Sequence, residues 1–119
     1  MNAIRTELCD MLDIKYPIIQ AAMGPFCTNK LAVAVSNIGA LGTISITQMT
    51  SDPDVAGEKT LENINYVKKH TTNTFAVNAP VGKAIEPMAN RIIDVTIEER
   101  EKDPKLRQQL KVFITSAGD

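Results

Sequence analysis

The sequence contains no tryptophan and only 4% aromatic residues, so any core it builds must come from aliphatic side chains rather than large rings. Cysteine is scarce: Cys9 and Cys27 stand alone, without CxxC spacing, and His70 is the single histidine. That set excludes a zinc constellation, leaving no metal site to assign. Both thiols are expected to stay reduced in a cytoplasmic setting. Charge of one sign is also missing, since 13 basic and 14 acidic residues leave a formal net charge of -1. Without a basic patch there is no electrostatic footprint for nucleic acid or for an anionic membrane surface. Long apolar runs are absent too. Nothing approaches the ~20 apolar residues of a transmembrane helix, and the N-terminal stretch MNAIRTELCDMLDIKYP interleaves charges where a signal peptide needs an uninterrupted apolar region.

What is present is alternation. The run Ile18–Ala22 after Pro17 predicts a short buried strand, broken by Gly24-Pro25. Thr28 or Asn29 then caps a helix whose apolar positions are Leu31, Ala32, Val35 and Ile38, with Gly39 where the chain leaves it. A second strand follows over Leu41–Ile46, and Ser51-Asp52-Pro53-Asp54 opens a helix carrying Leu61, Ile64 and Val67 on one face. Phe75–Asn78 reads as a third strand, ended by Pro80 and Gly82. Ile85, Met88, Ala89, Ile92 and Thr96 trace the next helix. Asp103-Pro104 starts a short helical piece to Leu110, and Val112–Thr115 is a fourth strand that runs into Ser116-Ala117-Gly118-Asp119. The order βαβαβαβ predicts a parallel α/β sheet with right-handed crossovers. Residues 1–119 form a single partial domain in this reading, with no linker, repeat or low-complexity tract. The pattern leaves two architectures open, a doubly wound sheet or four strands of a TIM (β/α)8 barrel, and 119 residues fall short of the ~200 to 400 of a complete barrel. In either, ligands collect at the C-terminal strand ends, here Ala22-Met23-Gly24, Ser45-Ile46-Thr47, Asn78-Ala79-Pro80 and Thr115–Gly118.

Four segments, YPIIQAAMG, LAVAVSNIGALGTIS, FAVNAPV and VFITSAGD, occur in order and at suitable spacing, and together the chain resembles the FMN-dependent nitronate monooxygenases, also called 2-nitropropane dioxygenases. The related flavin-dependent enoyl and quinone reductases share the likeness. The resemblance implies the N-terminal half of a TIM barrel, about four βα units, with FMN at the C-terminal strand ends. It implies cofactor contacts from the small residues Ala22 and Gly24, from Met23 beside the flavin ring, from Asn78 through its side-chain amide, from Pro80 by backbone or ring surface, and from Ser116. The sequence departs from many relatives in reading QAAM, with alanine in place of proline or glycine before the methionine. The family's catalytic histidine is expected beyond Asp119, so no catalytic residue is assigned within the chain.

The implied activity is oxidation of an alkyl nitronate, a small-molecule substrate, with oxygen. The alternatives are enoyl or quinone reduction on the same scaffold, and a non-catalytic half-barrel that acts by association, homo-oligomer formation being one way to cover its edges. Plainer roles are expected elsewhere. Gly39 and Gly42 serve a helix end and close helix-to-sheet packing, and Met88 belongs to the core. His70 lies in an α-to-β connection, at the face opposite the chemistry.

Overall fold

The computed structural model describes residues 4–24, 26–45 and 50–118. The expectations placed on Pro25, on Ile46 and Thr47, and on Asp119 lie outside them. Helix α1 spans Glu7–Leu12 and closes at Asp13, which adopts a left-handed conformation with φ 55°. It is followed by α2 (Asn29–Asn37), β1 (Gly42–Ile44), α3 (Pro53–His70), β2 (Phe75–Pro80), a 3-10 turn at Lys83–Ile85, α4 (Glu86–Lys102), α5 (Pro104–Gln109) and β3 (Val112–Ser116).

Proline and aspartate set the helix starts. Asp52 accepts the amide of Asp54 at 2.9 Å ahead of Pro53, and Asp103 accepts those of Lys105 and Leu106 ahead of Pro104. In both cases the side-chain oxygen satisfies first-turn donors that have no partner within the helix, and proline occupies a position needing none.

The strands are parallel and lie in chain order, β1-β2-β3, with Gly42 opposite Phe75 and Ala76 opposite Val112. Helix α2 packs on α3 and α3 along α4, so successive crossovers stay on one face of the sheet. That winding curls a sheet towards a barrel, whereas a doubly wound sheet reverses strand order and clothes both faces.

Alternation within each strand divides the core accordingly. Ile44, Phe75, Val77 and Ala79 face the helices and pack with Ile64, Val67, Ile92 and Leu106. Leu41 and Ala76 face the opposite, concave side, where Cys9, Leu12 and Ile14 of the α1 region cover them together with Val112 and Ile114.

Two expectations need correction. The segment Ile18–Ala22 is not a buried strand: it makes one isolated parallel bridge, Ile19 to Leu41, and Ile18 and Ile19 are 57% and 45% exposed. No strand flanks its outer side among the described residues, and its pairing with the β1 line stops after Gln20. The inner face of α2 also differs from the apolar reading. Ala32 is buried with Asn29 and Ser36, while Leu31 and Ile38 are exposed. The cause is Gly42, where a Cβ would stand 2.1 Å from the Ala32 carbonyl oxygen. A helix this close to a strand backbone can present only small or hydrogen-bonding side chains, and Ser36 Oγ accepts the Gly42 amide at 3.3 Å. Gly39, with φ 94°, ends the helix as expected.

Candidate active site

On the concave face the side chains change character along each strand. Leu41 gives way to Thr43 and Ser45, Ala76 to Asn78 and Pro80, and Val112 and Ile114 to Ser116. The N-terminal ends are apolar and covered by α1. At the C-terminal ends the same face turns polar and opens into a cavity of about 390 Å³, within the range of small-ligand sites. Ser45, Asn78, Pro80 and Ser116 line it from the strands, Ala22 and Gly24 from the preceding loop, and Ile85 and Met88 from the 3-10 turn and the first turn of α4; Thr50 and Ala117 complete it.

Pro80 is accommodated because the described β1 pairing ends at Val77, so no ladder partner among the described residues on that side requires an N–H; on the other side the Val81 amide bonds the Ser116 carbonyl at 2.8 Å.

Three buried polar atoms on this face have no hydrogen-bond partner among the described residues: Asn78 Oδ1, Ser45 Oγ and Thr43 Oγ1. A buried acceptor without a donor costs about 1 to 3 kcal/mol; Asn78 and Ser45 line the cavity and can bond a polar ligand there, whereas Thr43 does not line it. A larger cleft at the other end of the sheet, lined by Asp13, Asn73, Asp103 and Gln109 among others, contrasts with it. There Gln109 Nε2 donates to the Thr71 and Asn73 carbonyls, and Lys68 pairs with Asp103 at 2.6 Å. These three polar side chains, Gln109, Lys68 and Asp103, are engaged in holding loops.

Side-chain amides and a hydroxyl fix the β1 end. Asn63 on α3 donates to the Ser45 carbonyl at 3.0 Å and accepts from Asn29 Nδ2 at 2.9 Å. Gln20 accepts the Thr43 amide through Oε1 at 2.9 Å and donates through Nε2 to the Thr43 carbonyl at 3.0 Å. Thr28 stands at the N-cap of α2, yet its hydroxyl makes no cap bond and donates to the Thr43 carbonyl at 3.1 Å.

Of the six residues expected to contact a cofactor, the fold brings Ala22, Gly24, Asn78, Pro80 and Ser116 to one cavity. Met23 is 44% exposed and does not line it. Ser45, named among the strand ends where ligands collect but not among the cofactor contacts, lines the same cavity, as do Ile85 and Met88, which the sequence offered only as a helix face. Met88 is buried in the core as expected and also forms a wall. His70 is elsewhere: exposed at the C-terminus of α3, it stacks on Tyr66 with ring centroids 4.3 Å apart, and its Nδ1 lies 2.7 Å from the Tyr66 carbonyl oxygen. Both cysteines are free, Cys9 buried and Cys27 exposed. Among the described residues there is no cluster suited to a metal ion, and no helix is long and apolar enough to cross a membrane.

The model of the family described as nitronate monooxygenase matches residues 5–111. Curated proteins of Staphylococcus aureus strains JH9 and Newman, each described as "Probable nitronate monooxygenase", are 40% identical over 74 residues, which is 62% of this chain and 19% of theirs. Among solved structures, FabK from Thermotoga maritima aligns with a TM-score of 0.65 and 32% identity over 82% of this chain and 29% of that one. A FabK point mutant from the same organism aligns with a TM-score of 0.67 and 27% identity over 95% and 40%. FabK is a TIM-barrel enzyme, so the curled parallel sheet corresponds to part of a barrel. The aligned region covers about a fifth of the curated relatives and less than half of these solved chains.

Proposed function

The chain belongs to the nitronate monooxygenase family, and on that footing we propose that it forms the ring-side part of the FMN site of a flavin-dependent oxidoreductase. The observation that carries the reading is Asn78 Oδ1, buried and without a partner among the described residues, on the wall of a cavity that Ile85 and Met88 close on its helix side. A carboxamide offers both a donor and an acceptor edge, as the edge of a flavin ring does. Ala22 and Gly24 leave room for a flat ring to approach the backbone, Met88 and Ile85 supply an apolar wall, and Ser45 and Ser116 add hydroxyls at the strand ends. Pro80 contributes ring surface and carbonyl.

The chemistry FMN supplies when bound is acceptance of electrons from a small substrate such as an alkyl nitronate, with oxygen as terminal oxidant. The described residues that line the cavity bind, orient and exclude water; none of them is an acid or base, and His70 is at the opposite end. Reduction of an enoyl thioester or quinone on the same scaffold is the second reading, favoured by the likeness to FabK. Cytoplasmic placement is part of the same proposal.

Titration of the purified chain with FMN, followed by quenching of flavin fluorescence, tests the site. Saturable binding is expected, weakened about tenfold or more in Asn78→Ala, the loss of one well-placed polar contact being worth roughly 1.4 kcal/mol. Equal binding by wild type and variant would remove Asn78 from the site, and no saturable binding by either would count against the flavin reading.

A further inference from the structure

We infer that Gln20 is a positioning residue whose carboxamide stands in for a missing piece of strand, and that it thereby sets the part of the cavity wall formed by Ala22 and Gly24. The Leu41 amide donates to the Ile18 carbonyl at 2.9 Å, and the Gln20 amide donates to the Leu41 carbonyl at 2.9 Å. In an ordinary parallel ladder the next two bonds would run from the Thr43 amide to the Gln20 carbonyl and from the Ala22 amide to the Thr43 carbonyl. Neither forms. The Thr43 amide donates instead to Gln20 Oε1 at 2.9 Å, and Gln20 Nε2 donates to the Thr43 carbonyl at 3.0 Å. One side chain supplies both the acceptor and the donor that the backbone has withdrawn.

The withdrawal has a purpose in the geometry. Had residues 20–22 stayed in the ladder, the chain would have continued alongside Thr43 and Ser45. Released one step early, it turns away, and Ala22 and Gly24 line the cavity opposite Asn78. Gln20 Nε2 also donates to the Ala21 carbonyl at 2.7 Å, so the same amide grips the first residue of the departing loop. The Thr28 hydroxyl shares the Thr43 carbonyl, but the Thr43 amide goes to Gln20 Oε1 and not to it. Gln20 alone contacts both sides of the junction. The benefit of this wall to a flavin rests on the reading proposed above; the clamp itself does not.

Residue-resolved amide exchange on the full chain tests the clamp without any cofactor. In Gln20→Met, which keeps most of the volume but neither polar atom, the Thr43 amide is expected to lose about tenfold or more of its protection, with the Ala76 and Val77 amides of β2 unchanged as internal controls. A second variant covers the case in which Gln20→Met fails to fold. In Gln20→Glu a carboxylate oxygen replaces Nε2 against the Ala21 and Thr43 carbonyls, and the repulsion drives the charged side chain out of the clamp and away from the Thr43 amide. Its Thr43 protection factor, already corrected for the intrinsic rate, should be low at neutral pH and recover as the carboxyl protonates, near about 4.3 for an ordinary glutamate. A Thr43 amide as protected in a folded Gln20→Met as in wild type would overturn the proposal, as would a flat pH profile in Gln20→Glu. These outcomes are independent of the FMN titration: loss of the clamp with normal Asn78-dependent binding, or an intact clamp with no flavin bound, tells the two ideas apart.

Discussion

At single positions the structure separates residues that serve packing from residues that serve a ligand. Asn78 sits in the central strand, yet its Oδ1 has no partner, so its removal should cost the fold little. We expect Asn78→Ala to unfold within about 1 kcal/mol of wild type in urea, because an unsatisfied acceptor is deleted and the space left opens into the cavity rather than forming a closed void. A loss well beyond that would show that Asn78 is structural. Gly42 is the opposite case. Its Cβ would stand 2.1 Å from the Ala32 carbonyl oxygen and 2.7 Å from Ser36 Oγ, and backbone cannot yield as a side-chain end can. Gly42→Ala should cost about 3 kcal/mol, read as a fall in Tm of at least about 8 °C. An unchanged melting curve would mean that α2 and β1 are less closely pressed than described.

Elements differ in how openly the sequence announces them. Helices α3 and α5 are legible because their start signals are local: an aspartate followed by proline fixes cap and first turn within three residues. The pairing of Lys68 with Asp103, at 2.6 Å, joins the two helices across 35 positions and is not legible in that way. This bond, with the amides of Leu106 and Lys105 after it, holds the Asp103 carboxyl below its ordinary value of 3.8. A depressed folded pKa means that the charged form stabilises the fold. The contribution is therefore complete above 3.8 and is lost as pH falls through the lower, folded value. Compared with Asp103→Asn, wild type should melt higher by a constant margin from neutrality to about pH 5, and the margin should close in stronger acid. A margin that stays constant down to pH 2 would rule out the charge as its source. Helix α2 and the Ile18–Gln20 segment were harder to read for one shared reason. The residues that matter there, Ser36 against Gly42 and Gln20 against Thr43, act through backbone partners far away in sequence, so polarity marks them as surface although they hold the interior. The graded concave face escaped notice likewise, since strands of three to six residues give alternation little room to show.

For the molecule as a whole, the helices clothe one face of the sheet, and among the described residues the α1 region covers the other face at its N-terminal end. Along its edges, Ile18 and Ile19 are exposed on one side, and β3, none of whose residues is fully buried, lies on the other. Edge strands with free backbone groups and apolar side chains recruit partners. Sedimentation of the purified 119-residue chain should accordingly show concentration-dependent association; a monomer that persists to about millimolar protein would contradict the inference that these edges are sticky. The strand order carries a different implication, for synthesis. Every described strand pairs only with its neighbours in the chain, and each register match spans about three dozen positions, as between Gly42 and Phe75 or Ala76 and Val112. A chain emerging at roughly 5 to 20 residues per second completes one such span every few seconds, far longer than a contact of that length needs to form. The sheet can thus grow strand by strand from the N-terminus as the ribosome delivers it, each new unit docking on a surface already in place and becoming the surface for the next.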